Sequence, residues 1–209
     1  MTKKLIYGVI GTQNTGKTTF IKDVIEYCKT RIVDEQYYNR GVDYRQKITE
    51  LGLSINRNGT EECQKIIFKT LTDNIIDNMV KNVQSNEYNR ILLDRTPIDA
   101  FVYTVWHNEY GDKSISQTVI ENMWNSLLYS TRILDRIFYI PLSLCDSVEV
   151  VDDKFRDTNL EYRNQINEIF EKCISKLIKN KVNISFLYGD REERIKAFLE
   201  YEKIDLLSM

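Results

Sequence analysis

Apolar residues recur along this chain in two rhythms, and each predicts a different element. Short, nearly continuous apolar runs at 5–10, 89–94, 136–142 and 182–188 read as buried strands, and 31–34 as a further short one. Between them the spacing becomes helical. Over 60–83, Ile67, Leu71, Ile75, Met79 and Val83 recur every four residues, and Glu61 and Glu62 sit in the first turn, where acids suit the helix dipole. Over 159–180, Ile166, Ile169, Phe170, Cys173, Ile174 and Leu177 form a second stripe. Thr158-Asn159-Leu160-Glu161 matches a capping box and makes Thr158 the expected N-cap. Helices are also expected at 17–27, 98–109 and 114–131. Such β–α alternation predicts an α/β protein whose mainly parallel sheet is covered on both faces.

The 209 residues suit one domain spanning 1–209, and two prolines with no Ser/Gly-rich stretch leave no linker to divide it. A net charge of −2 argues against broad nonspecific duplex binding; nucleic acid is disfavoured as a partner without being excluded. Cys28, Cys63, Cys145 and Cys173 lie far apart, and His107 is the single histidine, so neither zinc nor a disulfide framework is expected. The apolar run at 5–10 is too short for a signal core and no later stretch could span a bilayer. A soluble, cytoplasmic protein is predicted, with a homodimer left open.

One motif changes the picture. Residues 11–18 read G-x-x-x-x-G-K-T between an expected strand and an expected helix. Gly11 and Gly16 leave no Cβ in the way of a backbone that must wrap around phosphate. The N–H groups of Asn14, Thr15, Gly16 and Thr19, at the loop and the helix start, then point at the anion. Lys17 would reach the β/γ-phosphates and the Thr18 hydroxyl would ligate magnesium, making ATP and Mg2+ the expected co-substrate and cofactor. A dinucleotide fold is excluded, because G-x-G-x-x-G is missing after the first strand. Asp94 closes the apolar run Ile91-Leu92-Leu93, where a carboxylate can hold the same magnesium or else cap the helix that begins at Thr96-Pro97.

The run Asp94-Arg95-Thr96-Pro97 with Asp99 resembles the D/E-R-S/T element of deoxynucleoside and nucleotide kinases. With the phosphate loop, it is similar also to the small AAA-like P-loop ATPase/kinase group that includes ribosylnicotinamide kinase-type domains. The resemblance extends to a carboxylate after strand two (Asp34-Glu35), a lid at about 152–165 (Phe155-Arg156-Asp157, Glu161-Tyr162-Arg163), and Gly189 before Glu192-Glu193-Arg194. It implies a P-loop NTPase three-layer sandwich, a five-stranded parallel sheet of order 2-3-1-4-5 with a helical lid.

Glu35, placed after strand two, would open into the crevice at the strands' carboxyl ends and take the proton of an attacking hydroxyl, unless it is a solvated loop acid. Gln64 lies on the apolar face of its helix and would read a base edge, or would be a core-edge amide. Arg156 and Arg163 are seven residues apart and would close over the transferring phosphoryl group, or would pair with Asp152, Asp153 or Asp157. Arg40 and Arg45 are candidates for an acceptor's phosphate, and Arg95 for clamping phosphates. Tyr37, Tyr38, Tyr44, Tyr103 and Tyr110 are candidates for stacking on a base, while Trp106 and Trp124 read as core. The leading expectation is an ATP- and magnesium-dependent phosphotransferase acting on a small nucleoside-like or nucleotide-like acceptor. The alternatives are an ATP-hydrolysing switch and a kinase of a modified base in DNA. A GTPase is disfavoured because Asn180-Lys181-Val182-Asn183 lacks the guanine motif's aspartate.

Overall fold

The six residues Leu5–Ile10 alternate their side chains across a sheet, and that alternation sorts two cores. Leu5, Tyr7 and Val9 face one side and Ile6 and Ile10 the other. The computed structural model describes residues 4–31, 36–84, 90–142 and 159–207. Its strands are β1 (Leu5–Ile10), β2 (Tyr37–Asn39), β3 (Arg90–Asp94), β4 (Arg136–Tyr139) and β5 (Ile184–Phe186). They form one five-stranded sheet in the order β2-β3-β1-β4-β5, parallel at every junction. Class, strand count and order are as the sequence implied.

The helices are α1 (Lys17–Arg31), α2 (Arg45–Glu50), α3 (Glu61–Gln84), α4 (Pro97–Glu109), α5 (Gln117–Thr131), α6 (Leu160–Lys179) and α7 (Arg191–Leu207). On one face α3, α4, α5 and α6 bury Ile67, Leu71, Ile98, Met123, Leu127, Ile166 and Phe170. On the other, α1 and α7 bury Phe20, Ile21, Val24, Cys28 and Phe198. Each such side chain contributes about 1.5–3 kcal/mol relative to exposure. Phe198 meets Tyr7, Phe20 and Phe138 at ring-centroid distances of 5.5, 5.9 and 5.0 Å. Beside it Arg90, wholly buried, pairs with Glu202 at 2.6 Å, and the Tyr37 hydroxyl donates to the same carboxylate. That network ties β2, β3 and α7 together. Among the described residues no helix is long and apolar enough to cross a membrane.

Two local expectations are corrected. The second strand of the sheet is Tyr37–Asn39; of the strand expected at 31–34, Arg31 ends α1, whose buried stripe Val24 and Cys28 carry onward from Ile21, and 32–34 lie outside the described residues. The N-cap of α6 is Asn159, whose side chain accepts from the Tyr162 N–H at 2.8 Å, and Thr158 lies outside the described residues. Trp106 is core as expected, and Trp124, partly buried, packs against that core with its ring 5.4 Å from Phe101.

Candidate functional site

β1 and β3 lie side by side, with Val9 opposite Asp94, so the loop after β1 and the carboxylate ending β3 emerge together. Sheet order reverses at β1, between β3 and β4, and crevices form at such switch points. Gly11 has φ +149, and a Cβ there would lie 2.5 Å from the Ile140 carbonyl oxygen. Gly16 at φ +83 and Asn14 at φ +60 complete the left-handed turns that make the loop concave. Lys17, 5% exposed, donates from Nζ to the Gly11 and Thr12 carbonyls at 2.7 and 2.8 Å, which holds it along the loop.

The Thr18 hydroxyl donates to Asp94 Oδ2 at 2.5 Å. Asp94 Oδ1 is buried with no hydrogen-bond partner among the described residues. The helix-cap alternative for Asp94 fails, because Thr96 and Asp99 form the capping box of α4 themselves. A hydroxyl and a carboxylate with a spare buried oxygen, facing one cleft, fit a magnesium ion. No cluster of three or more His, Cys, Asp and Glu side chains occurs among the described residues.

The cleft has a volume of about 540 Å3 and runs from Asn14, Lys17, Thr18 and Thr19 to Asp94 and Arg95. Its far wall is the segment that follows β2: Asn39, Gly41, Val42, Asp43, Tyr44 and Arg45. Gly41 passes so close that a Cβ would sit 2.9 Å from Asp94 Cβ. A smaller pocket of about 30 Å3 adjoins the cleft and shares Gln13, Tyr44, Arg45 and Arg95 with it. Its other lining residues include Gln64, Asp99, Tyr103, Ile55 and Asn56.

Arg95 stands between the two spaces at φ +76, a left-handed turn that costs a non-glycine residue about 1 kcal/mol. Burial opposes its charge, but Tyr44, Tyr103, Asp99 and Asp94 around it hold the guanidinium above the ordinary arginine range. Burial raises the Asp99 carboxyl against the pull of Lys17 and Arg95, and pushes the Tyr103 phenol up to about 12. Asp99 Oδ1 is buried with no hydrogen-bond partner among the described residues, so a donor brought by a ligand would satisfy it.

The roof of the small pocket hangs on His107. Its Nε2 lies 3.0 Å from the carbonyl oxygen of Asn56, itself left-handed at φ +57. Gly59 packs beneath, where a Cβ would lie 2.8 Å from Gln64 Nε2 and 3.2 Å from His107 Nε2. Burial lowers the His107 pKa below its usual 6.5, although the Asn56 bond and Asp112 pull the other way. The folded imidazole thus stays neutral where the unfolded one takes up a proton. Its contribution to stability is present above about pH 6.5 and is lost as the pH falls through the folded value, by at most about 1.4 kcal/mol per pH unit. His107→Gln is expected to flatten the fall of Tm below pH 6.5; an unchanged acid limb in thermal melts would refute this.

Of the residues singled out in the sequence, Asn14, Gly16, Lys17, Thr18, Thr19, Asp94, Arg95, Arg45 and Tyr44 meet around the cleft, and Gln64 and Tyr103 in the pocket beside it. Arg40 is not in either lining; its guanidinium lies over the Tyr38 ring at 5.3 Å. Tyr37 is in the sheet's buried network, and Tyr110 donates to Glu168 on the surface. Arg163 is half-buried in the first turn of α6. One turn on, Asn167 accepts from the Thr12 hydroxyl of the phosphate loop at 3.3 Å, so that face of α6 is turned to the loop. Glu35, Asp34 and Arg156 lie outside the described residues, as does Cys145. The carboxylate that follows β2 and lines the cleft is Asp43, whose Oδ1 accepts from the Arg45 N–H at 2.9 Å. Sequence reasoning missed Asp43 because it ended strand two before Tyr37.

Neither protein-family models nor curated proteins give a match to this chain. Among solved structures it is similar to thymidylate kinase from Candida albicans, with a TM-score of 0.61 at 13% sequence identity, over 97% of this chain and 92% of that one. It is also similar to deoxyadenosine kinase from M. mycoides with bound dATP, with a TM-score of 0.57 at 15% identity, over 95% and 100% of the two chains. The same enzyme with the products dCMP and dCDP gives a TM-score of 0.56 at 15% identity, over 95% and 98%. At these identities the likeness establishes the fold.

Proposed function

We propose that this chain is an ATP- and magnesium-dependent kinase that phosphorylates a small nucleoside-like or nucleotide-like molecule. The observation that carries the reading is the adjacency of two spaces: a phosphate-loop cleft and a pocket lined by Gln64 and Asp99, joined at Arg95. A hydrolytic switch needs only the first. The similar structures are of two kinases whose names specify thymidylate and deoxyadenosine, which supports a nucleoside-like or nucleotide-like acceptor here. A modified base in DNA fits less well, because a net charge of −2 disfavours the phosphate contacts that hold a duplex.

In this reading the loop N–H groups and Lys17 bind the β- and γ-phosphates, and Thr18 and Asp94 hold magnesium. Bound there, the ion neutralises phosphate charge. An acceptor hydroxyl oxygen attacks the γ-phosphorus, the bond to the β,γ-bridging oxygen breaks, and ADP leaves. The hydroxyl proton passes to a carboxylate. We assign that role to Asp43, in place of Glu35, because Asp43 follows β2 and lines the cleft. Arg95 steadies the acceptor end, and Gln64 and Asp99 hold its donor and acceptor groups. Arg163, with Arg156, is proposed to meet charge that develops on the phosphoryl group in transfer.

ATP consumption measured across a panel of nucleosides, nucleotides and ribosylnicotinamide tests the proposal. Acceptor-dependent ADP release is expected for at least one; ADP release indifferent to every acceptor would favour the hydrolytic switch. Arg163→Ala is expected to lower kcat by about 10²-fold while ATP affinity stays within about threefold. An intact kcat would make the arginine structural.

A further inference from the structure

The phosphate loop is braced from behind by an arginine on the last helix. Arg194 is 5% exposed, and its Nη1 donates to the carbonyl oxygen of Thr15 at 3.1 Å. Its helix is fixed where it starts: Asp190 and Glu193 cap each other's backbone N–H groups at 2.8 and 2.9 Å. The neighbouring Arg191 forms two bonds to Asp23 of α1. The guanidinium is therefore presented from a rigid turn.

That contact has a consequence on the opposite side of the loop. In a trans peptide the C=O of one residue and the N–H of the next point in opposite directions, and every described peptide here is trans. With the Thr15 carbonyl drawn toward Arg194, the N–H of Gly16 in the same peptide unit is turned away from α7. Gly16 lines the cleft. At φ +83 it has the freedom to hold that orientation, and it has equal freedom to lose it. A buried cation behind the loop also adds positive potential where a polyphosphate would sit.

We infer that Arg194 is a positioning residue for the nucleotide. By anchoring the Thr15 carbonyl it keeps the Gly16 N–H aimed at the phosphate chain, so a polyphosphate is bound by a loop set before it arrives. The inference rests on the nucleotide-binding reading of the loop and adds to it a residue outside the motif.

The test compares wild-type protein with Arg194→Met, Arg194→Gln and Arg194→Lys, using inorganic triphosphate and MgATP as titrants in calorimetry. Arg194→Met should weaken both by about tenfold, the scale of a lost hydrogen bond from a charged donor, with the KM for the acceptor unchanged. Arg194→Lys, which keeps the charge and one donor, should recover most of the loss. Equal triphosphate affinity in wild type and Arg194→Met, with both folded by circular dichroism, overturns the inference. If the methionine variant does not fold, the lysine and glutamine variants decide. Weaker triphosphate binding by glutamine than by lysine supports the inference, and equal binding overturns it. Wild-type protein that binds neither titrant overturns the nucleotide reading, and the inference with it.

Discussion

Lys17→Ala is expected to abolish magnesium-dependent ATP turnover, lowering kcat/KM by about 10³-fold or more, while the sheet and both cores remain intact. The reason lies in where Nζ sits. It is held by the Gly11 and Thr12 carbonyls at the rim of the loop, within the lining of the cleft. Among the described residues that line the cleft, the other cations, Arg45 and Arg95, stand at the acceptor side, beside the small pocket. Removing the ammonium leaves backbone N–H groups to stabilise the charge spread over a transferring phosphoryl group. The same change frees two loop carbonyls that water can reach, so the cost to stability should stay near about 1 kcal/mol. Thr18→Ala should behave similarly but with a signature of its own. It removes the donor to Asp94 Oδ2, so raised magnesium should restore part of the activity. ATP binding and turnover in Lys17→Ala equal to wild type would remove the central claim.

The parts of this site that were legible in the sequence are those whose chemistry is local. A loop of G-x-x-x-x-G-K-T must be concave whatever surrounds it, because Gly11 and Gly16 take left-handed φ values. Asp94 was legible because a buried run of three aliphatics ends on it. Gln64 was legible because its spacing from Leu71 places both on one helix face, and both are buried. The misreadings are non-local. β2 is a three-residue edge strand with only Tyr37 buried, so no alternation announces it. Placing it toward the N-terminus put the expected base on Asp34-Glu35, which lie outside the described residues, and left Asp43 unconsidered. α7 escaped notice because two of its buried positions, Arg194 and Glu202, are charged and interrupt any apolar stripe. Their burial is explained only by partners far away in sequence, Thr15 and Arg90.

Asp43→Asn separates acceptor classes and tests the assignment of the base in one experiment. A hydroxyl must lose a proton as it attacks phosphorus, and a carboxylate at the cleft wall can receive it. Asp43 is the carboxylate after β2 that lines the cleft, beside Gly41, whose backbone closes over Asp94. With a nucleoside-like alcohol as acceptor, Asp43→Asn should lower kcat by about 10²-fold or more, with ATP affinity hardly changed. The limb of the pH–rate profile that reports the base should vanish with it. Glu35→Gln, and the double variant Asp34→Asn, Glu35→Gln, should leave kcat within about threefold of wild type if Asp43 alone is the base. A phosphate acceptor is already ionised near neutral pH and needs no base. In that case Asp43→Asn should be tolerated, and Arg45→Ala should raise the acceptor KM, because Arg45 lines both the cleft and the pocket. Full activity of Asp43→Asn toward a hydroxyl acceptor, together with a large loss in Glu35→Gln, would return the role to the residue before the strand.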